Sequence, residues 1–212
     1  MTQTLTISKY SEAEVPLRFG KFNISVYRDS LSKQESLAIH MGIAKNANNN
    51  GSIFTRIHSE CLTGEVLSSL KCDCKDQLDM ALATIAAKGQ GLVIYLRQEG
   101  RGIGLGNKIK AYHLQNAGLN TIDANHKLGF DNDLRDFSIA ALILKDMDIT
   151  SIDLNTNNPD KIKALQSLGV NVASIVPSHA PVQEFNRAYL QAKKNMLGHL
   201  FSDEIFSECQ HD

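Results

Sequence analysis

The chain has 212 residues, with 22 lysines and arginines against 23 acidic residues and a net charge of −1. Its 42% hydrophobic and 21% charged residues are ordinary for a folded globular protein and exclude wholesale disorder. A near-neutral chain is also a poor fit to a protein held on nucleic acid or an anionic membrane by bulk charge.

At ~100–200 residues per domain, this length predicts a single domain over residues 1–200 with a frayed polar tail over 201–212. No apolar run reaches the ~18 residues of a membrane span, and the first twenty residues lack the apolar stretch of a signal peptide. The expectation is a cytoplasmic protein with neither a membrane nor a nucleic-acid partner. There, Cys61, Cys72, Cys74 and Cys209 are expected as reduced thiols, metal ligands or catalytic groups rather than disulfides.

The N-terminal quarter reads as strands. Phe19 to Tyr27 alternates at Phe22, Ile24 and Val26, Leu37–Ile43 and Ser52–His58 are shorter candidates, and Lys45–Gly51 reads as a loop. After Cys74 the period lengthens. Leu78, Ala81, Leu82, Ile85 and Ala86 share a helical face, with Gly89 as a stop. Gly91–Leu96 is an apolar run of strand length. A glycine-rich loop, Glu99–Gly106, leads to a helix over Asn107–Ala117, and another helix is expected over Leu134–Met147. Ile152–Thr156 and Val170–Val176 read as strands. Between them Asn158 caps a helix whose first turn holds Pro159. A last helix aligns Phe185, Tyr189, Ala192 and Met196. This alternation predicts an α/β fold, a mixed sheet flanked by helices with a β-rich N-terminal part.

Cys61, followed ten residues later by Cys72-Asp73-Cys74, is the most informative spacing. A C-x-C pair brings two sulfurs to one point and a third can join from a neighbouring loop. Three thiolates suit zinc and leave a position for water. A closed structural site with His58 as fourth ligand is the alternative, and thiols that bind nothing are another. His58-Ser59-Glu60 supplies the H-x-E of zinc nucleobase deaminases, but their P-C-x-x-C half is missing.

Arginine and lysine recur beside carboxylates in Arg56–Glu60, Arg97–Gly102, Asp131–Asp136 and Asn155–Lys161. Guanidinium forks match phosphate oxygens, and glycine turns add N–H donors for anions. Each segment alone also reads as a surface ion pair or a helix cap. Gly100–Gly106 does not fit G-x-G-x-x-G, because Leu105 stands at the third glycine. Together the parts suggest a zinc hydrolase for a phosphorylated small molecule.

Arg56-Ile57-His58-Ser59-Glu60-Cys61-Leu62-Thr63-Gly64, Cys72-Asp73-Cys74, Arg97 to Gly104, Ala124-Asn125-His126, Gly129-Phe130, Asp133-Leu134-Arg135-Asp136-Phe137 and Thr156-Asn157-Asn158-Pro159 resemble, in order and spacing, the GTP cyclohydrolase II family. The likeness runs from about residue 15 to 200. It implies a homodimeric enzyme that opens the imidazole ring of GTP, with zinc at the ring and magnesium at the phosphates, at the first step of riboflavin synthesis. A variant of the chemistry that stops at a formamidopyrimidine or takes another purine nucleotide is the alternative, and a zinc module that binds nucleotide without chemistry is a third.

By that resemblance Cys61, Cys72 and Cys74 match the zinc ligands. Arg56, Ile57, His58, Ser59, Glu60, Gln77, Glu99, Gly100, Arg101, Thr121, Thr156 and Lys161 match positions that bind GTP. Asp133 matches a proton acceptor, Arg135 a nucleophile toward the α-phosphorus, and Tyr112 a tyrosine near the base. A guanidinium is always protonated in ordinary sites, so charge neutralisation at the phosphate is the other reading of Arg135. Lys75 departs from the glycine that many family members carry after C-x-C. The expected length leaves no room for a second synthase domain, and Cys209 reads as a free thiol.

Overall fold

The computed structural model describes residues 4–43, 51–119, 121–131, 133–178, 190, 191 and 194, with the side chains of residues 121 and 122 outside the description. The loop expected before Gly51, the last helix except for Leu190, Gln191 and Lys194, and the tail with Cys209 lie outside it too. The described residues fall into two compact units. The first draws on Met1–His58, Gln77–Arg97 and Phe137–Ser178, and the second on Ser59–Asp76, Gln98–Asp136 and the chain from His179 onward.

In chain order the elements are β1 (Ile7–Leu17), β2 (Gly20–Asp29), β3 (Glu35–Met41), β4 (Ile53–Ser59), α1 (Leu62–Glu65), α2 (Cys74–Lys88) and β5 (Gly91–Leu96). A 3-10 turn, Glu99–Gly102, precedes α3 (Gly104–Asn116), α4 (Thr121–Lys127), α5 (Ser138–Asp146), β6 (Ser151–Asn155), α6 (Pro159–Ser167) and β7 (Asn171–Val176). The seven strands form one mixed sheet in the order β1-β2-β3-β5-β4-β6-β7. Antiparallel pairing joins β1, β2, β3 and β5, and β4, β6 and β7 run parallel. The expected mixed α/β sheet is the observed one.

The two faces of the sheet explain the apolar runs. On β5, Leu92, Ile94 and Leu96 join Ala140, Ile143 and Leu144 of α5 and Leu165 of α6 in one core cluster. Val93, between them, faces Ala81, Leu82 and Ile85 of α2 in a second cluster with Phe22 and Phe54. A strand covered on both faces has no polar alternation to show, which is why Gly91–Leu96 is continuously apolar. The α6 cap is as the sequence predicts: Asn158 Oδ1 accepts from the Asp160 N–H at 2.9 Å and from the Lys161 N–H at 3.4 Å.

Three elements had no sequence signal. β1 is exposed along most of its length, because an edge strand with little cover has no apolar period to display. α1 and α4 span only four and seven residues, too short for a helical stripe. Two boundaries move as well. α3 starts inside the expected glycine loop, at Gly104. α5 starts at Ser138 rather than Leu134, since Asp133 binds Arg135 and Leu134 N–H binds the Arg101 carbonyl instead of a helical partner. Among the described residues no helix is long and apolar enough to cross a membrane.

His40 on β3 is 5% exposed, and among the described residues neither of its ring nitrogens has a partner. Burial lowers its pKa, and so does Lys9, while Glu12 works to raise it. A histidine depressed in the fold leaves the unfolded chain as the better proton binder. Its stabilising share is therefore present above the unfolded value of ~6.5 and is lost as pH falls toward the folded value. Chemical denaturation between pH 7 and pH 5 should show the parent losing stability across that window, with a His40→Phe variant losing less.

Candidate metal centre and polar sites

In the second unit the Sγ atoms of Cys61, Cys72 and Cys74 lie within 4.8 Å of one another, with Cys61 and Cys72 3.6 Å apart. Short-range structure positions two of the sulfurs. Cys61 is the N-cap of α1; its N–H donates to Glu65 Oε1 at 2.9 Å and its carbonyl accepts from Glu65 N–H at 2.8 Å. Cys74 opens α2, so Lys75 sits in a first helical turn, which needs no glycine geometry.

The donor set fits a metal. Gly64 has its α-carbon turned toward the sulfurs, and a Cβ there would stand 3.0 Å from Cys72 Sγ and 3.2 Å from Cys61 Sγ. The fold thus keeps this cradle clear. Hydrogen bonds from Cys72 and Cys74, and then Lys108, hold the Cys61 thiol far below its ordinary pKa against the effect of burial. The same coupling pushes Cys72 up to about 11 and Cys74 well above its usual value. A dication among three sulfurs this close would let all three ionise. Gly64→Ala should push two donor sulfurs apart and weaken metal binding by about 10-fold or more, toward the range of outer-sphere changes; competition with a chromophoric zinc chelator measures it.

Lys108 on α3, absent from the residues the sequence singled out, is 9% exposed. Its ammonium donates to Cys61 Sγ at 3.0 Å and to Glu99 Oε1 at 2.8 Å. Burial works to lower its pKa, but the bonds to Glu99 and Cys61 outweigh that and hold it above the ordinary range. Glu99 Oε2 accepts from Leu62 N–H at 2.6 Å, and its Oε1 also accepts from Gly100 N–H at 2.9 Å. The only sequence signal for Lys108 is a lysine nine residues past Glu99, which places it on a buried helix face once α3 starts at Gly104. Tyr112, one turn further along α3, is half-buried, with Lys71 Nζ 5.1 Å and Lys108 Nζ 5.7 Å from its ring centre.

The glycine loop runs left-handed through Gly100, Arg101 and Gly102, with φ of 63°, 60° and 92°. Gly102 permits a close approach: a Cβ there would stand 2.9 Å from the Leu134 carbonyl oxygen. Leu134 N–H donates to the Arg101 carbonyl at 3.0 Å. This ties Asp133 and Arg135 to the loop. Asp133 Oδ1 accepts from Arg135 N–H at 3.1 Å and from Nε at 2.8 Å, and Oδ2 accepts from Nη2. Burial pushes the Asp133 carboxyl up, but the Arg135 bonds win and hold it below the usual range. Gln98 bridges two ends, donating to Ser59 Oγ at 3.1 Å and accepting from Asp136 N–H at 3.1 Å. Thr121 is the first residue of α4, and its side chain lies outside the description. Glu60 is half-buried after β4.

In the first unit a polar group stands at the carboxyl ends of the parallel strands β4, β6 and β7, where open α/β sheets bind ligands. Arg56 is 5% exposed. Its Nη1 donates to Asn155 Oδ1 at 3.0 Å and to Ser178 Oγ at 3.2 Å, its Nη2 donates to Gln77 Oε1, and its Nε donates to His58 Nδ1 at 3.2 Å. His58 Nδ1 is therefore an acceptor, which leaves its ring proton on Nε2. The His58 ring stacks on Tyr95 at 5.6 Å. Lys161 Nζ donates to the Ile57 carbonyl at 2.7 Å, and Thr156 Oγ1 accepts from Asn158 N–H at 3.1 Å. Arg56, His58 and Gln77 are thus brought together, as are Lys161 and Ile57. In the second unit the same holds for Cys61 with Glu99, and for Arg101 with Asp133 and Arg135.

The three-cysteine cluster, backed by the buried Lys108, is a group that could hold a metal ion. A family model described as GTP cyclohydrolase II matches residues 8–177. GTP cyclohydrolase-2 of Shewanella denitrificans is 44% identical over 204 residues, covering 96% of this chain and 98% of that protein. The chain belongs to the GTP cyclohydrolase II family. It is also 44% identical over 194 residues to the riboflavin biosynthesis protein RibBA of Endomicrobium trichonymphae and 46% identical over 196 residues to that of Aquifex aeolicus. Each match covers 92% of this chain, which spans about half of each RibBA protein, 47% and 48%. The solved structure of RibBX, a two-domain 3,4-dihydroxy-2-butanone 4-phosphate synthase from A. baumannii, covers 81% of this chain and 40% of its own at 19% identity and a TM-score of 0.46.

Proposed function

We propose that this chain performs the GTP cyclohydrolase II reaction in the cytoplasm. GTP and three waters give formate from C8, pyrophosphate, and 2,5-diamino-6-ribosylamino-4(3H)-pyrimidinone 5′-phosphate, the first intermediate toward riboflavin. The observation that carries the proposal is the Cys61–Cys72–Cys74 cluster in a chain of this family.

Zinc, if held by those three sulfurs, would supply a Lewis acid able to lower the pKa of water toward neutral. The remaining work belongs to the chain's own residues. Arg56, Ile57, His58, Ser59, Glu60, Gln77, Glu99, Gly100, Arg101, Thr121, Thr156 and Lys161 bind GTP, with magnesium on its phosphates. The paired carboxylate keeps the Arg135 fork aimed, and the fork meets the α-phosphate. Held ionised by Arg135, Asp133 is the group placed to take a proton should the guanidinium give one up. Tyr112 moves a proton at the base. Two copies of the chain assemble as a homodimer.

Mass analysis of the product after incubation with GTP, zinc and magnesium tests the reading. A diaminopyrimidine that has lost the formyl carbon supports it. A formamidopyrimidine that keeps this carbon would confine the enzyme to ring opening, and unchanged GTP would remove the proposal.

A further inference from the structure

We infer that Lys108 is a positioning residue of the metal centre, acting through Cys61. The inference rests on the proposed metal-binding role of the three cysteines and deepens it. Four groups close a ring in the second unit. The Lys108 ammonium bridges Cys61 Sγ at 3.0 Å and Glu99 Oε1 at 2.8 Å, Glu99 Oε2 accepts from Leu62 N–H at 2.6 Å, and Leu62 is bonded in chain to Cys61. The ring orients one donor sulfur from outside, as the second partners of metal ligands do.

Burial makes the arrangement costly unless it has a use. Lysine and glutamate are almost never this buried unless paired, and both are 9% exposed. A salt bridge alone would need only Glu99. The ammonium's second partner is a sulfur, a poor acceptor for an ammonium unless it carries charge. Three thiolates around a dication leave one net negative charge, and the ammonium stands against the most buried of the three, Cys61, at 5% exposure. A thiolate that shares a lone pair with an ammonium donates less to its metal, so Lys108 sets both where Cys61 sits and how strongly it donates.

The test uses the purified full chain and its Lys108→Met and Lys108→Arg variants, titrated with Co(II) and with Zn(II) against a chromophoric chelator. Loss of the ammonium frees Cys61 to donate more strongly, which should move the thiolate-to-cobalt charge-transfer band to longer wavelength. It also leaves the sulfur unheld and the net negative charge of the loaded site unbalanced, and these losses should outweigh the gain and weaken metal binding about 10- to 100-fold. Lys108→Arg, which keeps a cationic donor, should recover most of the affinity. If Lys108→Met does not fold, Lys108→Gln is read in the same way. Affinity within threefold of the parent together with an unmoved band would overturn the inference. A parent chain without any thiolate–cobalt band would overturn the metal reading itself, and this inference with it.

Discussion

Cys72→Ser is expected to abolish GTP turnover while leaving the chain folded. Cys72 precedes α2, is half-buried, and belongs to neither core cluster, so a change from sulfur to oxygen removes little packing. What it removes is a soft donor 3.6 Å from Cys61 Sγ, and an alcohol is a poor replacement for a thiolate at a zinc site. Loss of a direct ligand should exceed the ~100-fold upper range for outer-sphere partners. Formate release and bound zinc should fall together, with an unchanged circular dichroism spectrum. A serine variant that keeps zinc and full turnover would detach the cluster from the reaction.

Arg135→Lys is expected to behave nearly as badly as Arg135→Ala. The guanidinium is gripped edge-on by both Asp133 oxygens, and its backbone N–H binds the same carboxylate. Lysine keeps the charge but has no planar fork to match a carboxylate on one side and a phosphate on the other. Losing one preorganised donor to developing charge typically costs ~10²–10³ in kcat, and that range is expected for both variants, with a smaller change in KM. A lysine variant retaining a third or more of the parent kcat would reduce Arg135 to a point charge.

Asp133 also makes a pH prediction. Its pKa is depressed in the fold, so the pair's stabilising share is present above the unfolded value of ~3.9 and is lost as pH falls through the folded one. Asp133 therefore stays ionised at neutral pH.

Local chemistry was legible in the sequence where one segment carried it whole. The α6 cap needs only Asn158 and Pro159, β5 announces itself by a run buried on both faces, and the C-x-C pair brings its own two sulfurs together. What was not legible came from distance along the chain. Lys108 lies 47 residues from Cys61, and Arg56 is ringed by Asn155 and Ser178, 99 and 122 residues away. No local period encodes such a meeting; it exists only once β4, β6 and β7 lie parallel or α3 turns its buried face to α1. The edge strand β1 escaped for the opposite reason, because it buries too little to leave a pattern.

The central claim is that the cysteine cluster serves hydrolysis at C8 of GTP. Turnover of GTP labelled with carbon-13 at C8, followed by NMR with the zinc- and magnesium-replete chain, tests it most directly. The account predicts that the label leaves the nucleotide and appears as free formate, in step with pyrophosphate. A label that stays in the nucleotide, as intact GTP or as a retained formamide, would contradict it.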